Sequence, residues 1–120
     1  MKKTYKKLNI AFDVDHTLWE IVKGADGKYH QVPDYGLIQV LHWFYKNGDN
    51  IYVWSAGGVD YTQTIVHKLG LDTMVSVIAK NYVCDGMKID LCFDDEDVNL
   101  ASVNIKVGRE KELTICDNWK

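Results

Sequence analysis

The feature that most constrains this chain is a short apolar stretch that runs directly into two acidic residues. Residues 8–12 are apolar apart from one asparagine, which is typical of a buried strand. Asp13 and Asp15 follow, and side chains two apart in an extended chain point to the same side. We therefore expect both carboxylates to project from the tip of a central strand into one small space. In open α/β sheets, ligands bind beyond the carboxyl ends of the strands.

A structural interpretation of the same residues is also open. Aspartate commonly begins turns and caps helices, so Asp13 can start a turn and Asp15 can cap a helix. This fragment alone does not separate the two interpretations, and the remainder of the chain favours the chemical one.

The composition is that of one soluble globular domain, which we assign to residues 1–120. Of the 120 residues, 47% are apolar and 26% are charged, and the net charge is −3. This balance gives no reason to expect broad nucleic-acid or membrane-surface binding, and no apolar run approaches the ~20 residues of a membrane span. Three cysteines without a C-x-x-C pair argue against a disulfide framework and a zinc site, and favour a cytoplasmic location: Cys84, Cys92 and Cys116.

After the opening strand, strand-like runs alternate with helical patterns. Two β-prone runs around a Gly/Asp turn predict a hairpin over 20–23 and 29–32, which would fold over the strand tip as a flap. Asp34 is the predicted N-cap of a first helix that ends at 47–48, and a second helix is predicted over 59–69. Further strands are predicted at 51–54, 74–79, 89–93 and 103–107, and residues 110–120 are not assigned.

This alternation predicts an α/β, three-layer, Rossmann-like domain with a central, mostly parallel sheet of about five strands. There is no room for a cap domain, because only the hairpin separates the first strand from the first helix. The connector at 80–88 is too short for a full crossover helix, so we expect the sheet to be thin on one face. Such a face favours a homodimer or another partner that covers it, or reduced activity.

Three predicted strands end in polar residues that belong together chemically. The first is followed by Asp13 and Asp15, the fourth by Asp94 and Asp95, and the second by Ser55. Parallel strands bring these ends to one edge, where two unit charges ~4 Å apart repel by roughly 4 kcal/mol at an effective dielectric near 20. The cluster must therefore take up protons or hold a cation. Ligands that are all oxygen suit Mg²⁺.

Two further groups fit a phosphate ligand at this edge. Ser55 precedes Ala56 and Gly57 at a predicted helix start, so its hydroxyl and two backbone N–H groups can bind phosphate oxygens. A cation should balance the acids, and Lys80 ends the third strand at the same edge. Lys88 begins the fourth strand, roughly 20 Å away at ~3.3 Å per residue. Geometry favours Lys80 unless the fourth strand starts later, and two solvated surface lysines are the alternative.

The ordered set resembles the four motifs of the haloacid dehalogenase (HAD) superfamily, over about residues 8–107. In this chain the motifs read Asp13-Val-Asp15-His-Thr17-Leu-Trp19, then Ser55, a lysine, and Phe93-Asp94-Asp95. The endings Thr-Leu-Trp and Phe-Asp-Asp-Glu are similar to those of the small capless magnesium-dependent phosphatases of that superfamily.

The resemblance implies a phosphatase that works through an aspartyl-phosphate intermediate. Asp13 would be the nucleophile, and Asp15 would act first as general acid and then as general base. The implied Mg²⁺ ligands are the Asp13 carboxylate, the Asp15 backbone carbonyl and Asp94. Asp95 would lie nearby as an indirect or water-mediated ligand.

The resemblance also implies the residues that hold the phosphoryl group and the loop. Ser55 and Lys80 would bind the transferring group, whose chemistry depends mainly on positioning and charge neutralisation. Thr17 would fix the loop after the nucleophile. His16 stands where many members have glycine, and its side chain would contact substrate or shade the entrance.

The expected substrate is a phosphorylated small molecule, nucleotide or macromolecule, because an open site would accept a bulky carrier. A nucleotide or polynucleotide-end phosphatase is the alternative enzyme. A non-catalytic module that binds Mg²⁺ or phosphate on the same fold is the alternative of another class. Trp19 and Trp54 flank the motifs and are predicted to be core residues rather than platforms for a base.

Overall fold

A five-stranded parallel sheet forms the centre of the protein, seen in a computed structural model that describes residues 6–80 and 87–107. The elements in chain order are β1 (Asn9–Asp13), β2 (Trp19–Lys23), β3 (Tyr29–Pro33), α1 (Tyr35–Lys46), β4 (Asn50–Trp54), α2 (Val59–Lys68), β5 (Ser76–Val77), β6 (Leu91–Asp94) and β7 (Val103–Lys106). The sheet order is β5-β4-β1-β6-β7, and every neighbouring pair is parallel. The α/β class and the parallel five-stranded sheet are therefore confirmed.

Successive side chains along each strand point to opposite faces of the sheet, so they contribute alternately to two apolar clusters. On one side lie Ile10, Phe12 and their counterparts on neighbouring strands, and both helices contribute side chains to this same cluster. Phe12 stacks on Phe93 of β6 with ring centroids 4.7 Å apart. The crossovers from β1 to β4 and from β4 to β5 run in the same direction along the sheet. Because such crossovers share one hand in nearly all proteins, both helices lie on one face.

The opposite face of the sheet carries a smaller cluster of buried residues. Ala11, Trp54 and Cys92 lie there, together with side chains from the connection between β6 and β7. Within the described residues no helix packs against this face. The predicted thinness of this face stays a prediction, because most of the connector at 80–88 on which it rests lies outside the described residues.

The strand order reverses beside β1. The chain passes from β1 towards β4 and β5 on one side, and later returns to place β6 on the other side of β1. Loops that leave neighbouring strands in opposite directions open a crevice at the carboxyl edge, which is where open α/β sheets bind ligands. The ends of β1 and β6, at Asp13 and Asp94, border this crevice.

The first helix begins as the sequence predicts. Asp34 is the N-cap of α1, and its Oδ1 accepts the N–H of Leu37 at 3.0 Å. The second helix begins differently, because its N-cap is Gly58 in a left-handed conformation (φ 101°) without a side-chain cap hydrogen bond. The first backbone N–H groups of α2 are therefore left for other acceptors.

The predicted hairpin is confirmed as β2 and β3, which pair from Trp19 opposite Pro33 to Lys23 opposite Tyr29. Other boundaries differ from the prediction. The third sheet strand covers only Ser76–Val77 instead of 74–79, because it pairs with β4 at two residues only. The fourth sheet strand along the chain, β6, begins at Leu91 rather than at residue 89.

Some predictions concern the part of the chain that is not described. Residues 110–120, Cys84 and Cys116 lie outside the described residues, whereas Cys92 is a free, buried thiol. Over residues 6–80 and 87–107, no helix combines the length and the apolar character that crossing a membrane requires.

Replacing the α1 cap tests how this helix is anchored. Asp34→Ala removes the acceptor for the Leu37 N–H and should lower the free energy of unfolding by about 1 kcal/mol. The melting temperature should fall by roughly 3–6 °C. Asp34→Asn keeps a capping oxygen and is the control, and equal stability of the Ala and Asn variants would contradict the assignment.

Candidate functional site

The first strand ends with an aspartate at the carboxyl edge of the sheet, and the chain then turns sharply. β1 ends at Asp13, and the Val14 carbonyl accepts the N–H groups of Thr17 at 3.2 Å and Leu18 at 2.9 Å. Inside this turn His16 has a φ of 63°, a left-handed value that is uncommon for residues other than glycine, although histidine adopts it more often than most. A glycine would adopt this conformation without the steric cost of a Cβ atom.

Three carboxylates meet at the carboxyl edge of the sheet. Oxygen atoms of Asp13, Asp94 and Asp95 all lie within 4.8 Å of one another. Asp13 and Asp94 are 5% and 1% exposed, because each ends a strand in the middle of the sheet. A group of oxygen ligands this close can hold a metal ion.

Lys80 reaches into this acidic cluster. Its Nζ donates to Asp94 Oδ2 at 2.8 Å and to Asp13 Oδ1 at 3.1 Å, and only 12% of its side chain is exposed. The backbone of Lys88 accepts a hydrogen bond from the side chain of Asn9, at the opposite end of β1, and Lys88 itself is exposed. The structure therefore places Lys80, the lysine that strand geometry favoured, beside the acids.

Burial and the neighbouring charges shift the pKa values of the acidic cluster and of Lys80. Desolvation, and secondly the charge of Asp94, raise the pKa of Asp13 to about 6, although Lys80 counteracts them. Desolvation followed by the charge of Asp94 also raises the pKa of Asp95. Burial lowers the pKa of Lys80, but its contacts with Asp94 and Asp13 outweigh that effect, so its pKa is raised and the ammonium persists at neutral pH.

Asp15 lies apart from this cluster, contrary to the expectation that four carboxylates share one space. Its Oδ1 accepts the Tyr61 hydroxyl at 2.6 Å and the Trp19 indole Nε1–H at 2.9 Å. The two-residue alternation fails because the strand stops at Asp13, so Asp15 belongs to the turn. Its carboxylate is not among the three that approach within 4.8 Å, and a metal contact through its backbone carbonyl stays a prediction.

Residues of the loop before α2 form one hydrogen bond with each other, which occupies one of the predicted phosphate donors. The Gly57 N–H, predicted as a phosphate donor, donates to Ser55 Oγ at 3.0 Å. Ser55 is 5% exposed, whereas Ala56 and Gly57 are exposed. The Ser55 hydroxyl hydrogen remains as a donor, and Gly58 at the N-cap leaves the helix terminus without a side chain above it.

The supporting residues also have defined contacts. Thr17 is buried, and its hydroxyl donates to Asp13 Oδ2 at 3.3 Å, which agrees with its predicted role in fixing the loop. His16 Nδ1 lies 3.0 Å from Glu20 Oε1. Trp19 and Trp54 are buried at 5% and 2% exposure, as predicted for core residues.

Tyr61 is the residue of this site that the sequence interpretation missed. It lies in the first turn of α2, four residues after Gly57, and is half-buried. Desolvation, and then the hydrogen bond to Asp15, raise its pKa to about 12, so the hydroxyl keeps its proton. The only signal in the sequence was a large polar aromatic residue three positions after the Gly57-Gly58 pair.

Comparisons of the chain with protein-family models, with curated proteins and with solved structures found no match. The chemistry of the site is therefore inferred from its residues and their geometry.

The raised pKa of Asp13 predicts a pH-dependent gain in stability when its charge is removed. The folded state holds the Asp13 proton up to about pH 6, whereas the unfolded chain releases it near 3.8. Stability from this group is thus present below about pH 4 and is lost as the pH rises through about 6. Asp13→Asn should raise the free energy of unfolding at pH 8 by about 1–3 kcal/mol, with no gain at pH 4.

Urea or thermal unfolding with a chelator present, between pH 4 and pH 8, measures this difference. Asp26→Asn is the control, because Asp26 is exposed and its pKa is lowered, chiefly by a hydrogen bond from the Lys28 N–H. An Asp13→Asn protein that is no more stable than the wild type at pH 8 would contradict the electrostatic account.

Proposed function

We propose that this chain is a Mg²⁺-dependent phosphomonoesterase of the HAD superfamily, with the three-layer fold of its small capless members. The observation that carries the proposal is the Lys80 ammonium held between the buried Asp13 and Asp94 at the carboxyl edge of the sheet. Buried carboxylates on two separate strands, joined by a lysine from a third connection, are costly to the fold and are typical of a functional site.

The donor set fits a hard divalent cation. Three carboxylates and one ammonium leave two negative charges at the cluster when all four groups are ionised. Asp13, Asp94 and Asp95 offer oxygen ligands only, and Mg²⁺ prefers such ligands while it keeps several waters. These residues would hold the ion, which when bound neutralises charge on the phosphoryl oxygens of a substrate.

In this proposal the protein residues divide the reaction into two displacements. A carboxylate oxygen of Asp13 attacks phosphorus, and the bond to the ester oxygen breaks as Asp15 gives that oxygen a proton. The products are an alcohol, an aspartyl-phosphate and the Asp15 carboxylate. A water then loses a proton to Asp15 and attacks phosphorus, which releases phosphate and restores both aspartates.

The remaining residues hold the phosphoryl group. Lys80 is within hydrogen-bond distance of the nucleophile and supplies positive charge, while the Ser55 hydroxyl and the N-terminus of α2 supply donors. The Gly57 N–H reaches a phosphate oxygen only by leaving Ser55 Oγ. Binding of the phosphate therefore includes a local rearrangement of this loop.

The hairpin supports an open site. Between β1 and α1 the chain forms only β2 and β3, so no inserted domain covers the carboxyl edge there. Substrates are therefore expected to include phosphomonoesters on carriers too large for an enclosed pocket.

Phosphate release from p-nitrophenyl phosphate with Mg²⁺ tests the reaction. Asp13→Asn removes the nucleophile and should lower the turnover by at least about a thousandfold. Asp26→Asn changes an exposed carboxyl at the hairpin turn and should retain wild-type turnover. Equal turnover by the Asp13→Asn and wild-type proteins would exclude Asp13 as the nucleophile.

Thermal melting with and without Mg²⁺ tests the ion site separately. The ion should stabilise the wild type by about 2.7 kcal/mol at a concentration 100 times its Kd, and Asp94→Asn should abolish that gain. Stabilisation by Mg²⁺ without any phosphate release would instead favour the non-catalytic binding module. Indifference to Mg²⁺ in the wild type would contradict the proposed ion site.

A further inference from the structure

The two oxygens of Asp15 have different surroundings. Oδ1 accepts two hydrogen bonds, from the Tyr61 hydroxyl at 2.6 Å and from Trp19 Nε1 at 2.9 Å. Among residues 6–80 and 87–107, none donates a hydrogen bond to Oδ2. The donors come from separate elements, the start of β2 and the first turn of α2, so the carboxyl group is fixed from two directions.

We propose that Tyr61 is a positioning residue that, together with Trp19, holds Oδ1 of Asp15 and leaves Oδ2 as the atom that exchanges the proton with the substrate. This inference rests on the proposed phosphatase function and adds a residue and an atom to it. An oxygen that already accepts two donors has little room for a proton of its own, whereas Oδ2 has no such neighbours in the described residues.

The proton balance of the first displacement follows from this assignment. Asp15 begins with its proton on Oδ2, and that proton passes to the ester oxygen as the bond between phosphorus and oxygen breaks. The alcohol leaves with the proton, and Asp15 is left as a carboxylate whose Oδ1 keeps both hydrogen bonds. In the second displacement Oδ2 takes a proton from the attacking water. Tyr61 and Trp19 keep their own protons throughout.

Tyr61 also links the acid to the phosphate loop. A methyl group added at Gly57 would lie 2.9 Å from Cδ2 of Tyr61 and 3.3 Å from Ser55 Oγ. The absence of a side chain at Gly57 therefore gives the Tyr61 ring the space from which its hydroxyl reaches Asp15. One short segment thus carries the phosphate donors and the residue that orients the acid.

A comparison of leaving groups separates positioning of an acid from a general structural role. The phenolate of p-nitrophenol departs with little need for a proton, whereas the alkoxide of a simple alkyl phosphate needs one. We would measure kcat/KM, which reports the steps up to alcohol release, for p-nitrophenyl phosphate and for an alkyl phosphate. The proteins are the wild type, Tyr61→Phe and Trp19→Phe, with Tyr35→Phe as the control for loss of an exposed tyrosine hydroxyl.

Tyr61→Phe should lose roughly 10- to 100-fold in kcat/KM for the alkyl ester, the range of one hydrogen bond to a charged group, and less than about threefold for p-nitrophenyl phosphate. Trp19→Phe should show the same selective loss, and Tyr35→Phe should match the wild type. A melting temperature and a Mg²⁺-induced shift that stay at wild-type values establish that Tyr61→Phe is folded with its ion site intact.

Equal losses for both esters, or no loss for the alkyl ester, would overturn the role of Tyr61 while the proposed function stands. A wild-type protein that releases phosphate from neither ester would overturn the proposed function and this inference together. The two failures are therefore distinguishable.

Discussion

The ion pair of Lys80 with Asp13 and Asp94 is the interaction on which the site depends. Two carboxylates that are almost fully buried would repel each other strongly without a cation between them, and the ammonium lies within 3.1 Å of both. One lysine does not balance three acids, so Asp13 keeps part of its proton near neutral pH and its pKa is raised to about 6 by burial and by Asp94. The same excess negative charge therefore lowers the stability of the fold, raises the pKa of Asp13 and favours binding of a cation.

The sheet topology makes this interaction possible. β1 lies between β4 and β6, and the three strands are parallel, so residues far apart in sequence end at the same edge. The two helices pack on one face and support β1 and β4 through a continuous apolar cluster. The acids gain their burial from this central position, and that burial gives them their perturbed protonation.

Much of the arrangement followed from local sequence patterns, and the remainder depended on tertiary contacts. Apolar runs followed by acids predicted the strand tips, and the rise per residue along a strand favoured Lys80 over Lys88, because those features depend on strand period and length alone. The predicted position of the Asp15 carboxylate was wrong. The strand ends at Asp13, so the alternation of side chains between the two faces does not extend to Asp15. Tyr61 could not be predicted, since its contact with Asp15 joins residues 46 positions apart across two elements.

The sequence separation between paired strands has a consequence for the order of folding. β1 pairs with β4 across 41 residues, as in the register of Asn9 with Asn50, whereas it pairs with β6 across 81 residues, as for Ile10 with Leu91. The longer closure costs more chain entropy, so we expect β6 to dock after the half of the sheet built around β4. The acids then meet only late in folding, and the repulsion between them chiefly speeds unfolding rather than slowing the formation of the nucleus. A bound cation would therefore act on the lifetime of the native protein more than on the speed at which it forms.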